Sequence, residues 1–148
     1  AVLVIIAILA ALLVPRFFSA STYSETGYLQ AALSAVNYAQ RLAMASGCDI
    51  RVRFDAGGYR LERYGTADCK AASGATLVPV NRPGSTEPFR EAPPEGVSVG
   101  SALFYYDPIG RPRGAGGSLG SILTAPVTIA IGAKTIRVEA ETGYGHVE

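Results

Sequence analysis

Histidine occurs once in this chain, at position 146, and that scarcity excludes several kinds of chemistry at the outset. A Ser-His-Asp or Cys-His nucleophile would have to use His146. A position so near the end of the sequence suits preorganised catalysis poorly, so His146 reads as a surface residue. Cysteine occurs twice, as Cys48 and Cys69, too few and too far apart for a thiolate zinc site. No other ligand set has metal spacing. Lysine also occurs twice, against eleven arginines, a bias for which the sequence offers no physical reason. The net charge of +1 gives no whole-chain field toward nucleic acid or an anionic membrane. Carboxylates pair only as Glu139 and Glu141, beside Arg137, and read as a solvated salt-bridge edge rather than an acid/base couple. The Gly-rich stretch 114–120 lacks the Lys-Ser/Thr ending of a phosphate loop and is expected to be flexible. No catalytic residue, metal or cofactor is therefore expected, and the chain does not read as an enzyme.

What is present is an apolar front and a turn-rich body. The first fourteen residues, Ala1 to Val14, are apolar without a break, and Pro15 and Arg16 follow. Behind them, seventeen Gly and nine Pro point to a body of strands and turns. The length suits one domain with a real core.

Three readings compete for the opening run. As a complete transmembrane helix it is short, about 21 Å against about 30 Å of hydrocarbon. With a few more apolar residues upstream it would span, and the absence of a leading Met leads us to expect a processed or trimmed start. As the core of a signal peptide its length fits, but the basic segment that should precede it is missing. As a buried core helix it lacks a solvent face.

The next stretch favours a continuing helix. Leu29, Ala32, Leu33, Val36, Ala39, Gln40 and Ala43 recur at three- and four-residue spacing, with Gln30, Ser34, Asn37 and Arg41 opposite. Gly47 supplies a stop. One helix is expected from Ala1 to about Ser46, kinked or opened at Pro15.

After Cys48 the period falls to two. Ile50, Val52 and Phe54 alternate with Arg51, Arg53 and Asp55. A turn at Gly57-Gly58 follows, and then Tyr59, Leu61 and Arg63 alternate with Arg60, Glu62 and Tyr64. The cysteines flank this hairpin, which would bring them together. The leading apolar segment points to an exported, oxidising location, and a disulfide is therefore favoured; two unrelated buried thiols are the alternative. Residues 70–96 read as irregular, with a short edge strand at "TLVPV" and a Pro-rich solvated loop over 79–96. Strand patterns then recur in "VSV", "ALFYYD", "VTIAI", "TIRVEA" and "HVE", with turns at "DPIG" and "IGAK". Arg111 and Arg113 flank Pro112 in "GRPRGAGG". Two arginines could contact phosphates, but they make no basic stripe, and an exposed turn is the plainer reading.

Taken together, the apolar run "VIIAILAALLVPRF", the amphipathic continuation and the Gly-rich β body resemble type IV pilins and type II secretion pseudopilins. The segment Phe104 to Gly110, two following strands and Thr142-Gly143 resemble the GspH/FimT-like minor pilin branch. "SGCDIRV" with a later Cys is similar to minor pilins of mannose-sensitive haemagglutinin pilus systems. The family's assembly Glu, close behind the start of its mature helix, has no counterpart within this sequence and is not carried over.

The resemblance implies an α+β fold, a long N-terminal helix packed on an antiparallel β-sheet body. It divides the chain into a stalk over 1–25 and a pilin-like globular domain over 26–148. It implies a structural subunit of a pilus or pseudopilus filament, minor or tip-complex, with Val4, Ile5, Ile6, Ile8, Leu9, Leu12, Leu13 and Pro15 forming the filament and membrane helix. Implied partners are other pilin or pseudopilin subunits, the inner membrane before assembly and the inner-membrane assembly machinery. The implied location is the bacterial inner membrane, with the body in the periplasm, and then the filament. Alternatives are a DNA-capturing minor pilin using Arg111 and Arg113, a major pilin, and a secreted soluble β-domain with a retained signal segment.

Overall fold

A computed structural model of the chain describes residues 20–71 and 75–148. The architecture is α+β, a long helix followed by antiparallel sheets. Helix α1 covers Ala20–Ser46. Leu29, Ala32, Val36, Ala39 and Ala43 share one face and are completely buried, while Gln30, Ser34 and Arg41 face solvent. The run of alanines lets the helix lie close on the strands beneath it. At its end Gly47 takes φ +71° and donates its N–H to the Ala43 carbonyl at 2.9 Å, a left-handed cap that a Cβ would strain. The expected extension of the helix over 1–19, including the break at Pro15, lies outside the described residues.

The helix covers a first sheet built from β1 (Ile50–Asp55), β2 (Gly58–Tyr64), β3 (Leu77–Pro79), β4 (Arg90–Glu91), β5 (Ala102–Tyr106) and β6 (Pro112–Arg113). Its order is β3-β2-β1-β5-β6, with β4 also pairing β2. Ile50, Val52 and Phe54 point inward and are buried, as the alternation requires. The sequence suggested one sheet; the structure has a second, β7 (Val127–Ile131), β8 (Lys134–Val138) and β9 (Gly145–Val147). Ile129, Ile131, Ile136 and Val138 complete the same core. The segment "VSV" forms no full strand. It makes a single bridge, Val99 to Ile131, and with Gly100 N–H to the Ala130 carbonyl at 2.8 Å it stitches the sheets together.

Several expectations need correction. The first hairpin turns on Ala56 and Gly57, because Gly58 already pairs with Asp55. Asp55 accepts the Gly57 N–H at 2.9 Å, which closes the turn one residue early. At the far end of β2, Arg63 is exposed and Tyr64 buried. Helix α1 ends near Arg63 and leaves it open to water, whereas Tyr64 stacks on Tyr105 across the outer face at 5.8 Å.

The stretch 79–96 is largely exposed, as expected, but it carries β4 and is anchored to the body at Val80 and Phe89. Phe89 N–H donates to Val80 at 2.7 Å, and the Phe89 ring stacks on Tyr38 of the helix at 5.1 Å. The Gly-rich stretch is likewise tied down. Gly117–Leu119 form a 3-10 turn, and Ser118 donates both its N–H, at 2.9 Å, and its hydroxyl to buried Asp49. Cys48 and Cys69 are bonded, with Cα atoms 5.1 Å apart, which fastens the end of α1 to the chain leaving β2.

Candidate functional site

Side-chain contacts between the helix and the body gather at two ends, where the helix begins and where it stops. Near its start the helix is tied to the body through Glu25. Its Oε1 accepts the Ala133 N–H at 3.0 Å, in the turn between β7 and β8. Gly132 in that turn has φ +58°, and the Glu25 carboxylate occupies the space its Cβ would need. One turn further on, Tyr28 packs on Tyr59 at 5.7 Å. Burial, helped by the Glu91 carboxylate, pushes the Tyr28 phenol up to about 12. Upstream of Glu25, Tyr23 is 77% exposed.

At the opposite end, two turns converge on the last part of the helix. Gln40 Nε2 donates to the carbonyls of Gly110 at 2.9 Å and Thr142 at 2.6 Å. Tyr106 donates its hydroxyl to Gly143 at 2.8 Å. Below them lies Asp107, 1% exposed. It accepts the N–H groups of Ile109 at 3.0 Å and Arg111 at 2.9 Å, and Arg113 Nε at 2.7 Å. Burial by itself would raise the Asp107 carboxyl; the Arg113 guanidinium and the two amides overcome it and hold the group below its ordinary value.

This geometry decides what Arg111 and Arg113 have to offer. Arg113 spends its fork on Asp107 and, through Nη1, on the Gly120 carbonyl at 3.1 Å. Arg111 Nε lies 3.6 Å from Asp107 and, buried, makes no hydrogen bond. Both arginines turn toward one carboxylate rather than outward as a pair. His146 stacks on Tyr144 at 5.8 Å, with Nε2 3.9 Å from Glu139. Glu139 accepts Arg137 Nε at 2.9 Å, the salt-bridge edge expected, whereas Glu141 stays exposed.

The helix candidates Val4, Ile5, Ile6, Ile8, Leu9, Leu12, Leu13 and Pro15 lie outside the described residues. Among the described residues no helix is long and apolar enough to cross a membrane. Among them, too, no group of three or more His, Cys, Asp or Glu is placed to hold a metal ion. No protein-family model, curated protein or solved structure matches the chain.

Sequence reasoning missed the parts of Glu25, Asp49 and Asp107. Asp107 carried a signal, since a turn Asp followed by Gly110 and two arginines is a carboxylate with donors within reach. Glu25 and Asp49 carried none, because their partners Ala133 and Ser118 are remote in sequence.

Proposed function

We propose that the chain is a structural subunit of a type IV pilus or type II secretion pseudopilus, minor or tip-complex, assembled through its N-terminal helix. The observation that carries this reading is the anchoring of α1. From Glu25 onward the helix is bound to the body along one buried face, and in the sequence the apolar run precedes it. A rigid helix held in this way transmits its position to the body, which is what a stalk must do.

In this reading the run 1–14 lies in the bacterial inner membrane before assembly and against neighbouring stalks afterwards. Neighbours then replace lipid, and association depends on side-chain packing rather than on escape from water. The partners are other pilin or pseudopilin subunits and the inner-membrane assembly machinery. The Cys48–Cys69 bond suits a body in the oxidising periplasm. A DNA-capturing role through Arg111 and Arg113 is the weaker reading, since Asp107 engages both.

The test is to shear filaments from cells and quantify this protein's peptides by mass spectrometry, with Ile6→Asp in parallel. Incorporation at trace level beside a more abundant pilin, lost in Ile6→Asp, is expected. Dominance of the filament would make it a major pilin. Unimpaired incorporation of the Asp variant would overturn assembly through the helix, and a mature protein beginning near Ser19 would establish a secreted domain instead.

A further inference from the structure

The outer face of the first sheet carries a row of like charges. Arg53 on β1 stands directly opposite Arg60 on β2, and Arg60 directly opposite Arg90 on β4. Neighbouring strands lie about 4.8 Å apart, so three guanidinium side chains leave one face within about 10 Å. Like charges placed directly opposite destabilise a sheet. The adjacent row has the arrangement stability favours: Arg51 stands opposite Glu62 and donates to it through Nε at 2.8 Å.

Compensation reaches one end of the row. Asp55 Oδ2 accepts Arg53 Nε at 3.0 Å and Arg60 Nη2 at 2.9 Å. Glu62 is 4.0 Å from Arg60 Nε but is engaged by Arg51. Arg90 is exposed, and among the described residues its side chain has no hydrogen-bond or ion-pair partner. Among the described residues the side chains of Arg41 and Arg63 also have no hydrogen-bond or ion-pair partner, but neither stands opposite another arginine.

The shape of the surface agrees with the charge. Arg60 and Arg90 stand together in the walls of two adjoining hollows of about 330 and 350 Å³. Gly57 and Gly58 line the first, Pro79 and Pro88 the second. Gly58 has φ +108° and packs its bare Cα against the Glu91 backbone, where any Cβ would collide. That close approach holds β4 on β2 and keeps Arg90 opposite Arg60.

We propose that Arg60 and Arg90 form an oxyanion site for a phosphate group on the outer face of this sheet. The place for a carboxylate, between Arg53 and Arg60, is already filled by Asp55. Between Arg60 and Arg90 a tetrahedral group presents acceptor oxygens outside a single plane, and takes the fork of Arg90 together with the Arg60 N–H groups that Asp55 leaves open. A planar carboxylate matches one fork in its own plane. The group arrives as free phosphate or as the head of a larger phosphomonoester; the chemistry at the arginines is the same. The site does not depend on the filament reading.

The test is calorimetric titration of the full chain in non-ionic detergent with inorganic phosphate, glycerol 3-phosphate and, at matched ionic strength, acetate. Saturable binding of a phosphate ligand is expected, weakened about tenfold or more by Arg90→Gln. Arg90→Lys, which keeps the charge and loses the fork, should also bind less tightly than the native chain. Arg41→Gln removes one charge from the solvent face of the helix and should leave affinity within about twofold. Tighter binding of glycerol 3-phosphate would identify a head group as the source, and tighter binding of inorganic phosphate the free ion. Acetate binding as tightly as phosphate, equal losses in Arg41→Gln and Arg90→Gln, or no saturable heat would each overturn the proposal. Among the described residues the Arg90 side chain has no hydrogen-bond or ion-pair partner, so its variants should melt with the native chain; if Arg90→Gln melts early, Arg90→Lys decides.

Discussion

Gln40 donates its side-chain amide to the Gly110 carbonyl at 2.9 Å across seventy residues of sequence. The same nitrogen reaches Thr142 at 2.6 Å, so one helical residue ties the turn after β5 to the turn before β9. Both sheets are thereby registered to the helix at the end where it stops, as Glu25 registers the β7–β8 turn where it leaves.

Gln40→Ala should destabilise the protein by about 1 kcal/mol, since it unpairs the part-buried Gly110 carbonyl, whereas water can replace the amide at the exposed Thr142 carbonyl. Gln30→Ala, on the exposed face, should stay within about 0.5 kcal/mol of the native protein. Denaturant unfolding compares them. Equal losses would mean that the amide bridge contributes nothing.

Asp107 predicts acid behaviour. Its carboxyl is depressed in the folded protein, so its stabilisation is complete above the ordinary carboxylate pKa of about 3.9 and is lost as pH falls through the lower folded value. Stability should hold to about pH 4 and fall below it. Asp107→Asn should be less stable at pH 7, because the Arg113 charge loses its partner, and should show a flatter acid limb. A parallel acid limb in the variant would assign the fall to other carboxylates.

At high pH the sign reverses. Burial raises the phenols of Tyr28, Tyr59 and Tyr106, Tyr28 to about 12. The fold favours the neutral phenol, so this stability is complete below about pH 10 and is lost as pH rises toward and through 12. Phenolate absorbance should therefore show these three titrating late, together with unfolding. A single transition near pH 10 for all the tyrosines, with the fold intact, would contradict it.

The Cys48–Cys69 bond closes a loop of 21 residues. Replacing both cysteines with Ser should cost about 3 kcal/mol on the chain-entropy account. Unfolding of the double variant measures it, and a loss below about 1 kcal/mol would mean that the hairpin holds the loop ends together without the bond.

Much of the fold was legible because it is periodic. The three- and four-residue spacing of Leu29 to Ala43 marked the buried face of α1, Gly47 its stop, and the alternation of Ile50, Val52 and Phe54 the inner side of β1. The same logic failed at Arg63 and Tyr64. Period tells which side of a sheet a residue takes but not whether that side is covered, and there α1 had already ended. It failed again over 79–96, where Pro breaks every period while Phe89 still finds Tyr38 and Tyr59.

The helix face, its end, the hairpin and the apolar front ahead of a turn-rich body were all readable in the residues alone, and the bond between Cys48 and Cys69 was favoured there and is formed in the structure. Each follows from local spacing, which a chain carries wherever it folds. The tertiary structure alone decided that Asp107 would claim Arg113, that Asp49 would hold the Gly-rich turn, and that Arg53, Arg60 and Arg90 would stand in one row. Those relations depend on which distant strands become neighbours, and pairing is set by the shared burial of both sheets beneath the helix rather than by any short run of residues.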